Sequence, residues 1–375
     1  MSEVTLLLMV GGGERSDVEE MVTRCRQAVA LDTIGKALSI GAIGQIVVST
    51  NSRSFAETLR SLPIMVELDP PGEGFHFGRT IRRLVEKYGM RKVFYVGGGS
   101  CPLLSASSME KIAEKLIASE EVVIANNYHS TDFAAISPAG AINAIAPLPH
   151  DNAIAWQLVK EAGLECIELP RNAATQLDVD TPADLLILKL HPSVGPNTRM
   201  YLDSLDLDTS NVERALRVLA EQEKQILLAG RVSSSVLACL EAKTSCWLRV
   251  FAEERGMRAS GRQERGEVRS LLGFYIEEVG LEGFFATLRE LCDTAFIDTR
   301  VLLCHKGIWP PVSERFYSDL LLPERIKNPF LRRFTEEAIE APIPIVLGGH
   351  SLVSGGLFAL AEMIDPRLMD WAADL

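Results

Sequence analysis

The 375-residue chain is missing the marks of several protein classes. Its seven cysteines, at 25, 101, 166, 239, 246, 292 and 304, form no CxxC pair, and this odd, scattered set suits a reducing compartment better than a disulfide framework. No apolar run approaches the ~18 residues of a membrane span. The opening MSEVTLLLMVGGGER has Glu3 rather than a basic region before its short apolar run, so neither secretion nor membrane association is expected. A basic surplus is absent too. The net charge is −12, shared as −6 by residues 1–190 and −6 by the rest, so no nucleic-acid surface is expected in either half. There is no internal repeat, no low-complexity tract and no excess of glycine or proline. The expected location is the cytoplasm.

What is present is an ordered globular composition, 47% hydrophobic and 23% charged, in a chain long enough for two domains. Short apolar runs at 4–10, 45–50, 64–68, 92–96, 122–125 and 166–169 read as strands, with amphipathic stretches between them. Helix starts carry local signals. Ser54 with Glu57 and Ser107 with Glu110 read as capping boxes, Asp151 as an N-cap, and Thr181 leads into Pro182 and Asp184. Alternating strand and helix predict an α/β fold, a mostly parallel sheet with helices on both faces.

The segment 191–211 interrupts periodicity with prolines, a glycine and turn formers, and is read as a linker between a domain at 1–190 and a second α/β domain at 212–375. In that second half, strands are expected at 226–229, 248–251, 295–304 and 343–347, and helices at 212–222 and 268–279.

The chemistry-bearing residues of the first half sit where strands end. Gly11, Gly12 and Gly13 follow the first strand directly, so their backbone N–H groups can approach a phosphate closely, with Arg15 as a forked cation beside them. YVGGGSCPLL carries a second glycine turn, Gly98, Gly99 and Ser100. LDVDTPADLL places Asp178 and Asp180 just before a helix. Asn126 and Asn127 open a polar cluster running to Asp132, past a strand's carboxyl end, where open α/β sheets bind ligands. His76, between two aromatics, reads as a packing or turn residue.

In this order the motifs resemble those of the nucleotidyltransferases of the molybdenum-cofactor and phospholactate guanylyltransferase type, which carry AAGxGxR, GxDxPLL and DIDTPEDL. The resemblance covers residues 1–190 only. It implies a nucleotide-diphospho-sugar transferase-like fold, a bound nucleoside triphosphate or nucleotide sugar, and Mg²⁺ near Asp178 and Asp180. It also implies that Arg15, Asp178 and Asp180 take part in catalysis. Two departures stand out: the aspartate that helps hold the metal falls on Ser100, and the lysine after the glycine loop has no counterpart, Lys36 being poorly placed.

The second half has no such resemblance. Between residues 249 and 273 it holds six arginines and no lysine, a bias suited to planar, two-pronged contact with phosphate or carboxylate. Gly256, Gly261 and Gly266 exclude one long helix there, and a glycine-rich loop at 256–260 leading into a helix is expected. Arg231, Arg255, Arg258, Arg262, Arg300, His350 and Ser351 are the candidate contacts for an anionic small molecule, against the plainer alternative of surface ion pairs.

The leading expectation is a nucleotidyltransferase-type enzyme transferring to or from an anionic acceptor. The alternatives are a nucleotide sensor or scaffold that has lost transfer, and a hydrolase built on Ser351 with His350 or His305, for which GGHSLVSGG lacks the second glycine of GxSxG.

Overall fold

The computed structural model describes residues 4–13, 16–70 and 74–364. Two sheets organise it. The first contains β1 (Val4–Val10), β2 (Ile43–Thr50), β3 (Met65–Leu68), β4 (Lys92–Gly97), β5 (Val122–Ala125), β6 (Phe133–Ser137) and β7 (Glu165–Glu168). Their spatial order is β3-β2-β1-β4-β6-β5-β7. All neighbours are parallel except β6, which runs antiparallel to both β4 and β5. The second sheet contains β8 (Gln225–Gly230), β9 (Trp247–Ala252), β10 (Thr294–Asp298) and β11 (Ile345–Gly348), in the order β11-β10-β8-β9, all parallel.

The strand sequences explain the layering. Successive side chains leave opposite faces of a strand, and a parallel sheet covered by helices on both faces needs apolar residues on both. VTLLLMV therefore splits, Leu6 and Leu8 entering one apolar cluster and Leu7 and Met9 another. The first of these clusters continues without a break into the second sheet through Ile226, Leu228, Phe296 and Val346, so the two halves share one apolar core. The far face of the second sheet packs separately around Leu227, Ile297, Phe284 and Phe334.

The 191–211 segment is built into this framework. It forms a helix, Pro196–Asp203, whose first turn is held by the buried carboxylate of Asp32 from the long helix Asp17–Leu38. Asp32 accepts from the backbone N–H of Asn197 (2.8 Å) and Thr198 (2.9 Å), from Asn197 Nδ2 (2.8 Å) and from Thr198 Oγ1 (2.6 Å). An acid facing otherwise unpaired first-turn N–H groups is favourable both as acceptor and as charge.

Several local expectations need correction. The stretch 295–304 is not one strand: β10 ends at Asp298, whose side chain caps a helix at Thr299–His305. The helix expected over 268–279 starts at Leu271, capped by Ser270, and runs to Leu291 past a break at Gly280, where φ is +74°. Residues 257–266 form successive turns rather than a helix entered from Ser260. Ser52 and Ser105, each two residues before the serine of the expected box, are the true caps. Asp151 caps nothing by its side chain; it accepts from Tyr95 Oη at 2.8 Å. Among the described residues no helix is long and apolar enough to cross a membrane.

Candidate functional site

Each sheet reverses its winding direction at one point, the first between β1 and β4 and the second between β8 and β10. Such reversals open a crevice at the carboxyl ends of the strands, the usual ligand position in open α/β sheets. Here the two crevices adjoin, their linings sharing Arg26 and Asp180.

On the first side, the turn after β4 lies across the end of β1. Gly98 donates its N–H to Met9 O at 2.9 Å, and a Cβ on Gly98 would stand 2.9 Å from Val10 Cα. On Gly99 it would stand 2.9 Å from Arg26 Cγ and 3.1 Å from Asp178 Oδ1. These glycines are therefore steric requirements of a close backbone approach. Ser100 forms an isolated antiparallel bridge with Asp178, flanked by Val179 N–H to Gly99 O and Cys101 N–H to Leu177 O, both 3.0 Å. That bridge stitches the glycine turn to the late aspartate pair. The result is a hollow of about 230 Å³ lined by Gly11, Gly97 to Ser100, Asp69, Asp151, Asp178 and Asp180.

Its acids crowd one another. Burial, followed by the charges of Asp180 and Asp132, pushes the Asp178 carboxyl well above the ordinary range. Asp132 is raised to about 7 by burial and by Asp151. No hydrogen bond reaches the Asp178 carboxylate among the described residues. Among the described residues the cation at the pair is Arg26, whose Nε donates to Val179 O (2.6 Å) and Nη2 to Asp180 Oδ1 (3.2 Å). Lys36 is committed elsewhere, donating to Leu104 O at 2.7 Å.

Arg26 and Asp180 also line a larger cleft of about 790 Å³, which continues to the second sheet. The strand ends of that sheet supply its far wall in spatial order: His350 after β11, Arg300 after β10, Arg231 after β8 and Arg255 after β9. Arg258 and Arg315 add to it, while Arg171 and Asn127 enter from the first half. Four of these arginines are matched by acids. Arg231 forks onto Asp298 (2.6 and 3.1 Å) and Arg300 onto Asp319 (2.8 and 2.5 Å), while Arg171 pairs with one oxygen of Glu168 and Arg26 makes a single contact to Asp180.

Arg255, Arg258 and Arg315 have no carboxylate partner among the described residues. Partial desolvation in the cleft, with Arg171 and Arg231 nearby, lowers the Arg255 pKa. Burial, with Arg300 nearby, brings that of Arg315 down to about 10. His350 is held neutral, pushed down to about 3 by burial and by Arg231. Its Nε2 accepts from Arg255 Nη2 at 3.4 Å.

The sequence candidates thus divide. Gly11, Gly98, Gly99, Ser100, Asp178 and Asp180 share the smaller hollow; Asn127, Asp180, Arg231, Arg255, Arg258, Arg300 and His350 share the larger. Arg15 lies outside the described residues. Gly12 pairs with Asn51, its N–H donating to Oδ1 at 3.1 Å and its carbonyl accepting from Nδ2 at 2.7 Å. Gly13 has open space where a Cβ would be.

Three candidates line neither cavity. Asn126 is buried and closes the 126–132 loop, donating to Asp132 Oδ2 (2.8 Å) and Thr175 O (3.0 Å). Arg262 is taken by Glu254 and Glu267 in a surface ion-pair network, the plainer reading of that stretch. Ser351 is buried and donates to Asp184 Oδ2 at 2.7 Å, facing the packed seam between the halves and not a histidine. Arg26, Arg171 and Arg315 were not singled out from sequence, because helix and loop residues distant in the chain signal nothing until the fold gathers them. Among the described residues no group of three or more His, Cys, Asp or Glu side chains is placed to hold a metal ion.

No protein-family model matches this chain, and no curated protein does. Solved structures similar to it include a nucleotidyl transferase from Methanothermobacter, 13% identical over 54% of this chain and 99% of that one, with a TM-score of 0.40. Another is a cytidylyltransferase from Leptospira borgpetersenii, 14% identical over 50% and 86%, TM-score 0.39. A third is a CMP:2-keto-3-deoxy-manno-octonic acid synthetase complexed with CTP, 11% identical over 49% and 95%, TM-score 0.36.

Proposed function

We propose that this chain is a nucleotidyltransferase-type enzyme of the molybdenum-cofactor and phospholactate guanylyltransferase kind that its motifs resemble. A nucleoside triphosphate or nucleotide sugar occupies the hollow over the β1/β4 crevice, and an anionic small molecule occupies the arginine-lined cleft. The observation that carries this reading is Asp180, which lines both cavities and so stands where the two ligands would meet.

Catalysis in this arrangement is positioning and charge stabilisation. The glycine turns let backbone approach the phosphates, Arg15 neutralises them, and Arg26 fixes the orientation of Asp180. No protein nucleophile is required, because the acceptor itself attacks. The Asp178/Asp180 pair suits Mg²⁺: the Asp178 carboxyl accepts no hydrogen bond among the described residues and is disfavoured as an anion by burial and then by its neighbour, and Mg²⁺ commonly uses one or two carboxylates with phosphate oxygens. Such an ion would supply neutralisation of charge developing on the transferred phosphoryl group.

A nucleotide sensor is the second reading, favoured by Ser100 in the acid's place and by Asn51 occupying the Gly12 N–H. A thermal-shift panel of the four ribonucleoside triphosphates separates the two. The enzyme reading expects a shift that requires Mg²⁺, followed by pyrophosphate release with phosphorylated acceptors. The sensor reading expects a metal-independent shift and no release. No shift with any triphosphate, nor with nucleotide sugars added to the panel, defeats both.

A further inference from the structure

The cleft contains more positive charge than its own acids can answer, and the surplus is localised. Arg231 and Arg300 are each engaged by a buried carboxylate in two-pronged pairs with Asp298 and Asp319. A guanidinium already forked onto a carboxylate has few donors left for a ligand, and its charge is matched. Arg255, Arg258 and Arg315 differ. Arg255 meets only neutral His350, Arg258 is exposed on the 255–259 turn, and Arg315 lies over the Trp309 ring at 4.2 Å with its Nε buried and without a hydrogen-bond partner.

We propose that Arg255, Arg258 and Arg315 form a clamp for a phosphoryl group carrying at least two negative charges, and that Arg231 and Arg300 are positioning residues that shape its floor. This rests on the reading of the cleft as the anionic-substrate site and narrows the substrate to a phosphomonoester or diphosphate.

Charge and acceptor number favour phosphoryl over carboxyl. A single carboxylate supplies one charge and a pair of oxygens, which one guanidinium fork satisfies. Three unmatched guanidinium groups around one cleft call for two or more charges and three or more strong acceptors, which a phosphate monoester or diphosphate provides. Arginine rather than lysine at all three positions fits planar, two-pronged recognition of phosphate oxygens. His350 adds no charge of its own. Its Nε2 accepts from Arg255, which leaves Nδ1 carrying the ring proton and the Arg255 head held at the end of β9.

The test is calorimetric titration of the full chain, in EDTA, with pyrophosphate and inorganic phosphate, and with succinate as the carboxylate comparison. EDTA removes any contribution of a divalent ion at Asp178 and Asp180. Saturable pyrophosphate binding is expected, weakened about tenfold or more in each of Arg255→Gln, Arg258→Gln and Arg315→Gln, the usual loss when a charged hydrogen-bond partner is removed. Arg262→Gln, which lies outside the cleft, should stay within about twofold of the parent. Arg255 and Arg258 are exposed, so their variants should fold even if Arg315→Gln does not. The clamp is overturned if pyrophosphate does not bind, if succinate binds as tightly, or if Arg262→Gln loses as much as the others. Triphosphate binding with Mg²⁺, measured on the same variants, keeps the two proposals apart: intact nucleotide binding beside a failed clamp removes only the clamp.

Discussion

Ser351 Oγ donates to Asp184 Oδ2 across the seam between the two halves, at 2.7 Å, and the other oxygen of that buried carboxyl, Oδ1, meets no hydrogen-bond partner. Oδ2 also accepts from the backbone N–H of Asp180 (3.0 Å) and Thr181 (2.7 Å). One carboxyl group therefore caps the helix Pro182–Leu190, anchors the aspartate at the site and receives the second half.

This group makes stability depend on pH. Burial and the charge of Asp180 raise its pKa from 3.8 to about 7. The native state therefore binds this proton more tightly than the unfolded chain. Its stabilising contribution is full below about pH 4 and is lost as pH rises through 7. Chemical denaturation of the parent and of Asp184→Asn between pH 4 and 8 should show a steeper fall for the parent. Parallel profiles would remove Asp184 as the source.

The glycines of the two turns should behave differently. Gly98→Ala would drive a Cβ into Val10 Cα and the Met9 carbonyl, both backbone, and should cost about 1–3 kcal/mol in urea denaturation. Gly13→Ala meets nothing within 4 Å and should leave stability within about 0.5 kcal/mol. A loss of triphosphate affinity in Gly13→Ala at unchanged stability would mark it as a ligand contact.

Asp32→Ala removes four hydrogen bonds to the first turn of the helix Pro196–Asp203 and leaves the N–H of buried Thr198 unpaired. It should destabilise the protein by about 2–4 kcal/mol. A change below about 0.5 kcal/mol would mean that the 191–211 segment is held by apolar packing alone.

Strand ends were the most legible part of the sequence, because short apolar runs closed by Gly, Asn or Asp signal both a buried strand and its exit. Arg231, Arg300 and His350 could be named for that reason, and Arg255 from the arginine-rich stretch 249–273. The edges of elements were less legible. Serines repeat two apart in NSRSF and SASS, and either fits a capping box, so the fold's choice of Ser52 and Ser105 follows from where the preceding strand or turn ends. FAAIS carries no alternation, being buried on both faces, and β6 was not singled out beside its polar neighbours. Pro196 reads as a breaker until Asp32, far away in sequence, makes it the first residue of a helix. Arg26, Arg171 and Arg315 share the cleft only through tertiary packing.

The central claim is that the carboxyl edges of both sheets serve one site. Its most direct test is sequential calorimetry of the full chain: the triphosphate giving the largest thermal shift, with Mg²⁺, titrated in the absence and presence of saturating pyrophosphate. Two ligands in one cleft must alter each other's affinity. A change of about threefold or more that disappears in Arg255→Gln is predicted; a triphosphate affinity that pyrophosphate leaves unchanged in the parent protein would contradict the account.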